Sequence, residues 1–249
     1  MIPVVQRTAD DNAQRVLEDR SQTPRMFTDI AHRYDFLNHA LSLNIDRRWR
    51  RTLVRAAEVK AGERVLDVAT GTADVAIEFV RGTPAGSITG LDPSSGMLDV
   101  GRTKLARDPA TDGRVRLIEG DALALPFPDA CFDVVTIAFG LRNLPDYDRG
   151  VREMARVLRP GGRLLVLEFL PPSGAARVLF RSYIATVLPL VGRAVSGSPE
   201  AYRYLASSIA EFVPSAEVRE LLAGAGLESV ATRRLTGGIA GLHRGVKAV

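Results

Sequence analysis

The 249-residue chain is poor in metal- and disulfide-forming side chains, with one cysteine, Cys131, and 3 histidines. A single cysteine excludes an internal disulfide framework and suits a reducing compartment. No Cys/His cluster at metal-ligand spacing exists, so no metal is expected. No uncharged apolar run of about 18 residues is present, which excludes a plain membrane-spanning helix. The first residues lack the apolar stretch of an export signal, because Arg7, Asp10, Asp11, Arg15, Glu18 and Asp19 interrupt them. A cytoplasmic protein is expected.

What is there is an ordinary globular composition, 46% hydrophobic and 25% charged, able to bury a core. The length implies one domain with an insertion or a cap. A net charge of +4 permits attraction to an anionic membrane or nucleic acid without demanding either.

The chain is organised around residues 64–79, RVLDVATGTADVAIEF. Val65, Leu66 and Val68 are strand formers suited to burial on both faces. The strand runs to Asp67, turns at Thr70-Gly71-Thr72, and gives way to a helix opening at Asp74. Gly71 permits positive φ or close approach of a ligand. This is the strand, turn and helix of a nucleotide-type site at the end of a parallel sheet. It is not a dinucleotide loop, because only one glycine is present, and Asp74 at the helix start would repel a phosphate. The ligand that fits is adenosyl without phosphate, its cationic part near Asp67 and Asp74: S-adenosylmethionine.

Residues 1–22 read as a polar arm and 23–249 as the single domain, with a helical cap over 23–58. Within that cap Met26, Phe27, Ile30 and Tyr34 keep helical spacing. A second helix sets Trp49, Leu53 and Val54 on one side and Arg47, Arg48, Arg50, Arg51 and Arg55 on its other faces. That arginine run is either a solvated face or a contact for anionic lipid headgroups. Residues 86–92 form a second strand ending in Asp92, placed to hold ribose hydroxyls or to cap the next helix. A third strand, 115–119, leads to Asp121, where a carboxylate can accept from an adenine amino group. The fourth strand covers 132–139, a helix 148–158, and the fifth strand 163–169 after an Arg-Pro-Gly-Gly turn. This alternation predicts a mainly parallel sheet with right-handed crossovers. Pro171-Pro172 then opens a lid-like insertion over 171–213. A helix at 215–223 and a terminal antiparallel hairpin, 228–234 with 239–249, complete the chain.

The stretches MFTDIAHRYDFLNHALSLNIDRRWRR, VLDVATGTADVA, DALALPFPDACFDVVTIAFGLRN, REMARVLRPGGRLLVLEF, PEAYRYLASSI and LTGGIAGLHRG resemble the class I S-adenosylmethionine-dependent methyltransferases. Within them the chain is similar to the menaquinone and ubiquinone biosynthesis C-methyltransferases. The resemblance implies a Rossmann-like α/β fold with a mainly parallel seven-stranded sheet, an antiparallel last strand and helices on both faces. It implies cofactor contacts at Thr72, Asp92, Asp121 and Ala122. A fourth family contact is usually a serine. Here it is Ala138, so binding there rests on backbone groups.

The resemblance further implies methyl transfer to a ring carbon of a polyprenylated naphthoquinol, or of the related benzoquinol, with details such as VATGTAD closer to the menaquinone branch. Arg142 and Asn143, just past the fourth strand, are the first catalytic candidates. Arg142 stays protonated and so lowers the quinol's pKa rather than acting as a base. Tyr34 orients cofactor or ring, and His243 is the alternative proton acceptor. An NAD-linked oxidoreductase is disfavoured by the missing glycines. A nucleic-acid methyltransferase is disfavoured because no Asn/Asp-Pro-Pro-aromatic run follows strand four. Transient contact with the inner membrane surface and a homodimer are both compatible with an exposed apolar patch.

Overall fold

The computed structural model describes Thr28, Ala31, Ser42, residues 44–111 and 113–170, Ser208, and residues 212–249. The expected arm at 1–22, the helix carrying Tyr34, and almost all of the 171–213 insertion lie outside the described residues.

Seven strands form one sheet: β1 (Arg64–Val68), β2 (Ser87–Asp92), β3 (Val115–Glu119), β4 (Phe132–Ala138), β5 (Leu158–Phe169), β6 (Leu227–Leu235) and β7 (Ala240–Lys247). Their order is β3-β2-β1-β4-β5-β7-β6. All pairs from β3 to β5 are parallel, while β7 runs antiparallel to both neighbours. The terminal hairpin and the reversed last strand are therefore as expected. Val65 of β1 packs into the core on one face of the sheet, and Leu66 and Val68 into the core on the other. That two-sided burial is why β1 reads as a continuous apolar run.

Helix α1 (Ile45–Ala56) buries Trp49, Leu53 and Val54 on the same face as α2 (Asp74–Gly82). Its Arg47, Arg48, Arg51 and Arg55 are exposed. α3 (Ser95–Ala106) starts beyond Ser94, whose Oγ accepts from the Met97 N–H at 3.2 Å. α4 (Tyr147–Val157) and α5 (Ser215–Gly224) cover the opposite face through Val151, Met154, Val218 and Leu222.

One boundary differs from expectation. β5 begins at Leu158, directly after α4, rather than at Arg163. Leu158 already pairs with Phe132, and the register shifts before Arg163 pairs with Val134. Gly161, at φ 73°, sits inside that shift and gives the chain its local kink.

Between β1 and β4 the strand order reverses direction of growth, and the carboxyl ends there open the crevice in which α/β sheets hold ligands. The turns leaving β1 and β4 are packed tightly together. A Cβ added at Gly140 would lie 2.6 Å from the Ala69 Cβ. Ala69 is itself held at φ 52°, so the contact has little room to relax. Gly140→Ala is expected to cost about 1–3 kcal/mol by overpacking, read as a lower midpoint of urea unfolding.

Candidate functional site

The turn from β1 to α2 takes positive φ at Ala69 (52°), Gly71 (55°) and Ala73 (66°). Phe139, just past β4, has φ 57°. Non-glycine residues held there cost roughly 1–3 kcal/mol each, and such strain gathers where a site is built.

Two backbone donors of the turn are engaged on β2. The Thr70 N–H donates to Leu91 O at 3.0 Å, and the Gly71 N–H donates to the Asp92 carboxylate at 2.8 Å. Asp92 also accepts from the Ser94 N–H at 2.9 Å. The Gly71 N–H is thus bonded to a carboxylate, and an acid at that point of the turn disfavours a phosphate there. Asp67 accepts from Thr70 Oγ1 at 2.6 Å and from Thr136 Oγ1, on the neighbouring strand, at 2.7 Å. Burial pushes both carboxyls up to about 6, Asp67 against the pull of its hydroxyl partners and the Arg50 charge, Asp92 against its backbone N–H bonds.

Asp74 is not the isolated acid that its place at the helix start suggested. It forms an ion pair with Arg50 at 2.9 Å and another with Lys104. Lys104 Nζ also donates to Thr72 Oγ1 at 3.0 Å, so Thr72 and Asp74 share one cation. Asp121 is exposed and accepts from the Leu123 N–H at 2.9 Å, while Ala122 is buried beside it. Ala138 is the last residue of β4 and half-buried.

At the adjoining carboxyl ends of β4 and β5 three rings meet. Phe139 and Phe169 lie 4.8 Å apart by centroid, and Trp49 of α1 is 5.9 Å from each. Trp49 Nε1 is anchored to Thr236 Oγ1 at 2.8 Å. The Arg142 guanidinium lies over the Phe169 ring, 5.4 Å from its centroid. Arg142 Nη1 donates to Glu168 at 2.7 Å and to the Phe139 carbonyl at 2.6 Å, with the guanidinium almost wholly buried. Its Nε is buried without a partner. Burial raises the pKa of Glu168, opposed by Arg142 and by the Phe169 N–H. Asn143 reaches the Phe139 carbonyl at 3.5 Å.

His243 is elsewhere. It pairs with Val166 inside β7, three residues short of Phe169, roughly 10 Å below the rim. It is fully buried, its Nδ1 is 2.8 Å from Thr232 Oγ1, and burial lowers its pKa to about 4. It is neutral at physiological pH. Tyr34 lies outside the described residues.

Sequence reasoning brought Asp67, Gly71, Asp92, Arg142 and Asn143 to one rim but missed Thr136, Glu168 and the pairing of Phe139 with Phe169. Glu168 left a readable signal, an acid inside the apolar strand RLLVLEF, because a buried carboxylate requires a partner. Among the described residues no group of three or more His, Cys, Asp or Glu side chains is placed to hold a metal ion.

Residues 14–247 match the model of the ubiE/COQ5 methyltransferase family. The chain is similar to a ubiquinone/menaquinone biosynthesis C-methyltransferase of Geobacter sulfurreducens, 46% identical over 94% of this chain and 92% of that protein. It is also similar to a demethylmenaquinone methyltransferase of Thermus thermophilus, 47% identical over 88% of this chain and 99% of the other. Among solved structures it shares its fold with phosphoethanolamine N-methyltransferase 2 of Haemonchus contortus in complex with S-adenosyl-L-methionine. That match has a TM-score of 0.62 at 16% identity, covering 80% of this chain and 52% of that one.

The buried acids predict a sign for the pH dependence of stability. The folded state raises both carboxyls above their unfolded value of about 3.9, so it holds their protons more tightly than the unfolded chain does. The stability they contribute is full at low pH and is lost as pH rises through about 6. Asp92→Asn removes one such group. Its stability relative to the parent should therefore improve between pH 4.5 and 7.5, by roughly 1–3 kcal/mol, in urea titrations at the two values.

Proposed function

From the premise that the chain belongs to the ubiE/COQ5 methyltransferase family, we propose that it methylates a ring carbon of demethylmenaquinol, a polyprenylated naphthoquinol, with S-adenosylmethionine as donor. The observation that carries this reading is an acid-lined turn that disfavours a phosphate, set beside an aromatic slab under a buried guanidinium.

The residues fit the donor. Two buried carboxylates, Asp67 and Asp92, are costly to ionise alone and are relieved by a ligand carrying positive charge and hydroxyls. Asp92 holds the ribose, Asp67 faces the ammonium, and Asp121 with Ala122 receives the adenine. Gly71 and Ala138 leave room for close approach, and Thr72 and Asp74 hold the turn through Lys104 and Arg50. The cofactor supplies an electrophilic methyl group on a sulfonium.

The Phe139 and Phe169 rings give the quinol ring a flat apolar face. Arg142, fixed by Glu168, stabilises through its positive charge the phenolate that forms as a quinol hydroxyl gives its proton to a water molecule. The carbon ortho to that hydroxyl is thereby made nucleophilic toward the methyl. Asn143 supports Arg142 from the Phe139 carbonyl. Tyr34, outside the described residues, keeps the role that the resemblance implies, orienting the cofactor or the ring. Glu168 acts through Arg142 and is a positioning residue, a role that fits a fully buried acid better than proton uptake does.

A prenylated substrate resides in membrane, and the exposed Arg47, Arg48, Arg51 and Arg55 of α1 suit transient contact with anionic headgroups at the inner membrane surface. No helix among the described residues is long and apolar enough to cross a membrane. Exposed large apolar side chains among the described residues are confined to Ile239 and Val249. A second reading, C-methylation of the polyprenyl benzoquinol of ubiquinone biosynthesis, is favoured by relatives named for both pathways.

The test is transfer of labelled methyl from S-adenosylmethionine to reduced demethylmenaquinol and, separately, to the reduced benzoquinol precursor. Label in the naphthoquinol is expected. Label in the benzoquinol alone moves the enzyme to the other pathway, and tight cofactor binding with no label in either discards the substrate. Arg142→Lys keeps the charge beside Glu168 but loses the planar fork. It should lower kcat by about 10²-fold while leaving cofactor affinity within about twofold.

A further inference from the structure

We propose that Arg50, on helix α1, receives the carboxylate at the amino-acid end of S-adenosylmethionine. This rests on the cofactor reading above and extends it to a residue outside the sheet's rim.

Arg50 is buried to 8% exposure at the contact between α1 and the first turn of α2. A single nitrogen, Nη1, makes both of its ion pairs, to Asp46 at 2.7 Å and to Asp74 at 2.9 Å. Asp46, one turn earlier on the same helix, is itself held by Ser42 Oγ at 2.7 Å, so the guanidinium is fixed from behind. Nε and Nη2 make no hydrogen bond among the described residues, and neither is sealed from solvent. A planar fork with two donors unengaged is the geometry that receives a carboxylate in bidentate fashion.

Position agrees with chemistry. The Arg50 charge acts on Asp67, the acid read here as facing the ammonium. An amino acid carries its ammonium and carboxylate on one carbon, so receptors for the two must be neighbours. Asp67 and Arg50 are such a pair, of opposite sign, on either side of the β1–α2 turn. Without Arg50, the ligand's carboxylate would sit unpaired beside two acids, Asp67 and Asp74. The cap helix then belongs to the binding site, rather than only covering it.

The test compares S-adenosylmethionine with its decarboxylated form, which keeps the adenosyl group, the sulfonium and the ammonium, by calorimetric titration. The parent protein should bind the carboxylated compound about tenfold or more tightly, the worth of one charge-assisted hydrogen-bonded pair. In Arg50→Lys and Arg50→Gln that preference should shrink to about threefold or less, the carboxylated compound losing more affinity than the decarboxylated one. A preference that persists in both variants overturns the proposal, as does a parent with no preference. Equal loss for both ligands assigns Arg50 to holding the turn alone and also overturns it. A parent that binds neither compound refutes the cofactor reading instead. Should neither variant fold, the Arg50 Nε–H resonance of the parent decides. It should shift on adding S-adenosylmethionine and stay in place with the decarboxylated compound, and the same shift with both counts against the proposal.

Discussion

Keeping two carboxylates out of water at the ends of adjacent strands is the constraint on which the site depends. Asp67 and Asp92 are almost entirely buried, yet among the described residues neither is neutralised by a contacting cation. Hydroxyls and backbone N–H groups satisfy them instead, and this determines the neighbourhood. Thr136 must lie opposite Asp67 on β4, and Gly71 must turn its N–H toward β2. The intervening residues must accept left-handed backbone at Ala69 and Ala73 to bring that about. The strain of the turn is thus tied to the bonds that Asp67 and Asp92 accept. A positively charged, hydroxyl-bearing ligand relieves the cost of ionising these two buried acids.

Two zones of different character meet along this rim. The β1–β2 side is polar and acid-lined, while the β4–β5 side is aromatic with a guanidinium laid across it. α1 serves both. Its Trp49 completes the aromatic cluster, and one residue later Arg50 bonds the start of α2. Adjacent residues of one helix therefore address the two zones, and a displacement of α1 would disturb both together.

Most of the fold was legible in the sequence, because buried parallel strands and acid-tipped turns leave strong local patterns. β3 matched residue for residue, and the hairpin of β6 and β7 was visible from its Thr-Gly-Gly turn. The candidate site was legible only where its residues sit next to a turn in sequence, as at Gly71, Asp92 and Arg142, which the fold brings to one rim. What stayed hidden was contact across the sheet. Nothing local says that Thr136 faces Asp67, that Phe139 meets Phe169, or that Asp74 is paired by residues from two other helices. β5 was read five residues short because Arg-Pro-Gly-Gly signals a turn, yet the strand passes through it with a register shift. Nor does anything local say that His243, named as the alternative proton acceptor, is buried inside β7 opposite Val166.

The strand order has a consequence for how the chain is made. β7 lies between β5 and β6, although β6 precedes it in sequence. As synthesis proceeds, β6 emerges with no edge to join, since the edge of β5 is reserved for a strand not yet translated. Until residues 240–247 leave the ribosome, β5 presents an open edge and β6 is an unpaired ribbon, both liable to wrong pairing. The antiparallel return of the last strand makes completion of the sheet a late event that closes both edges at once.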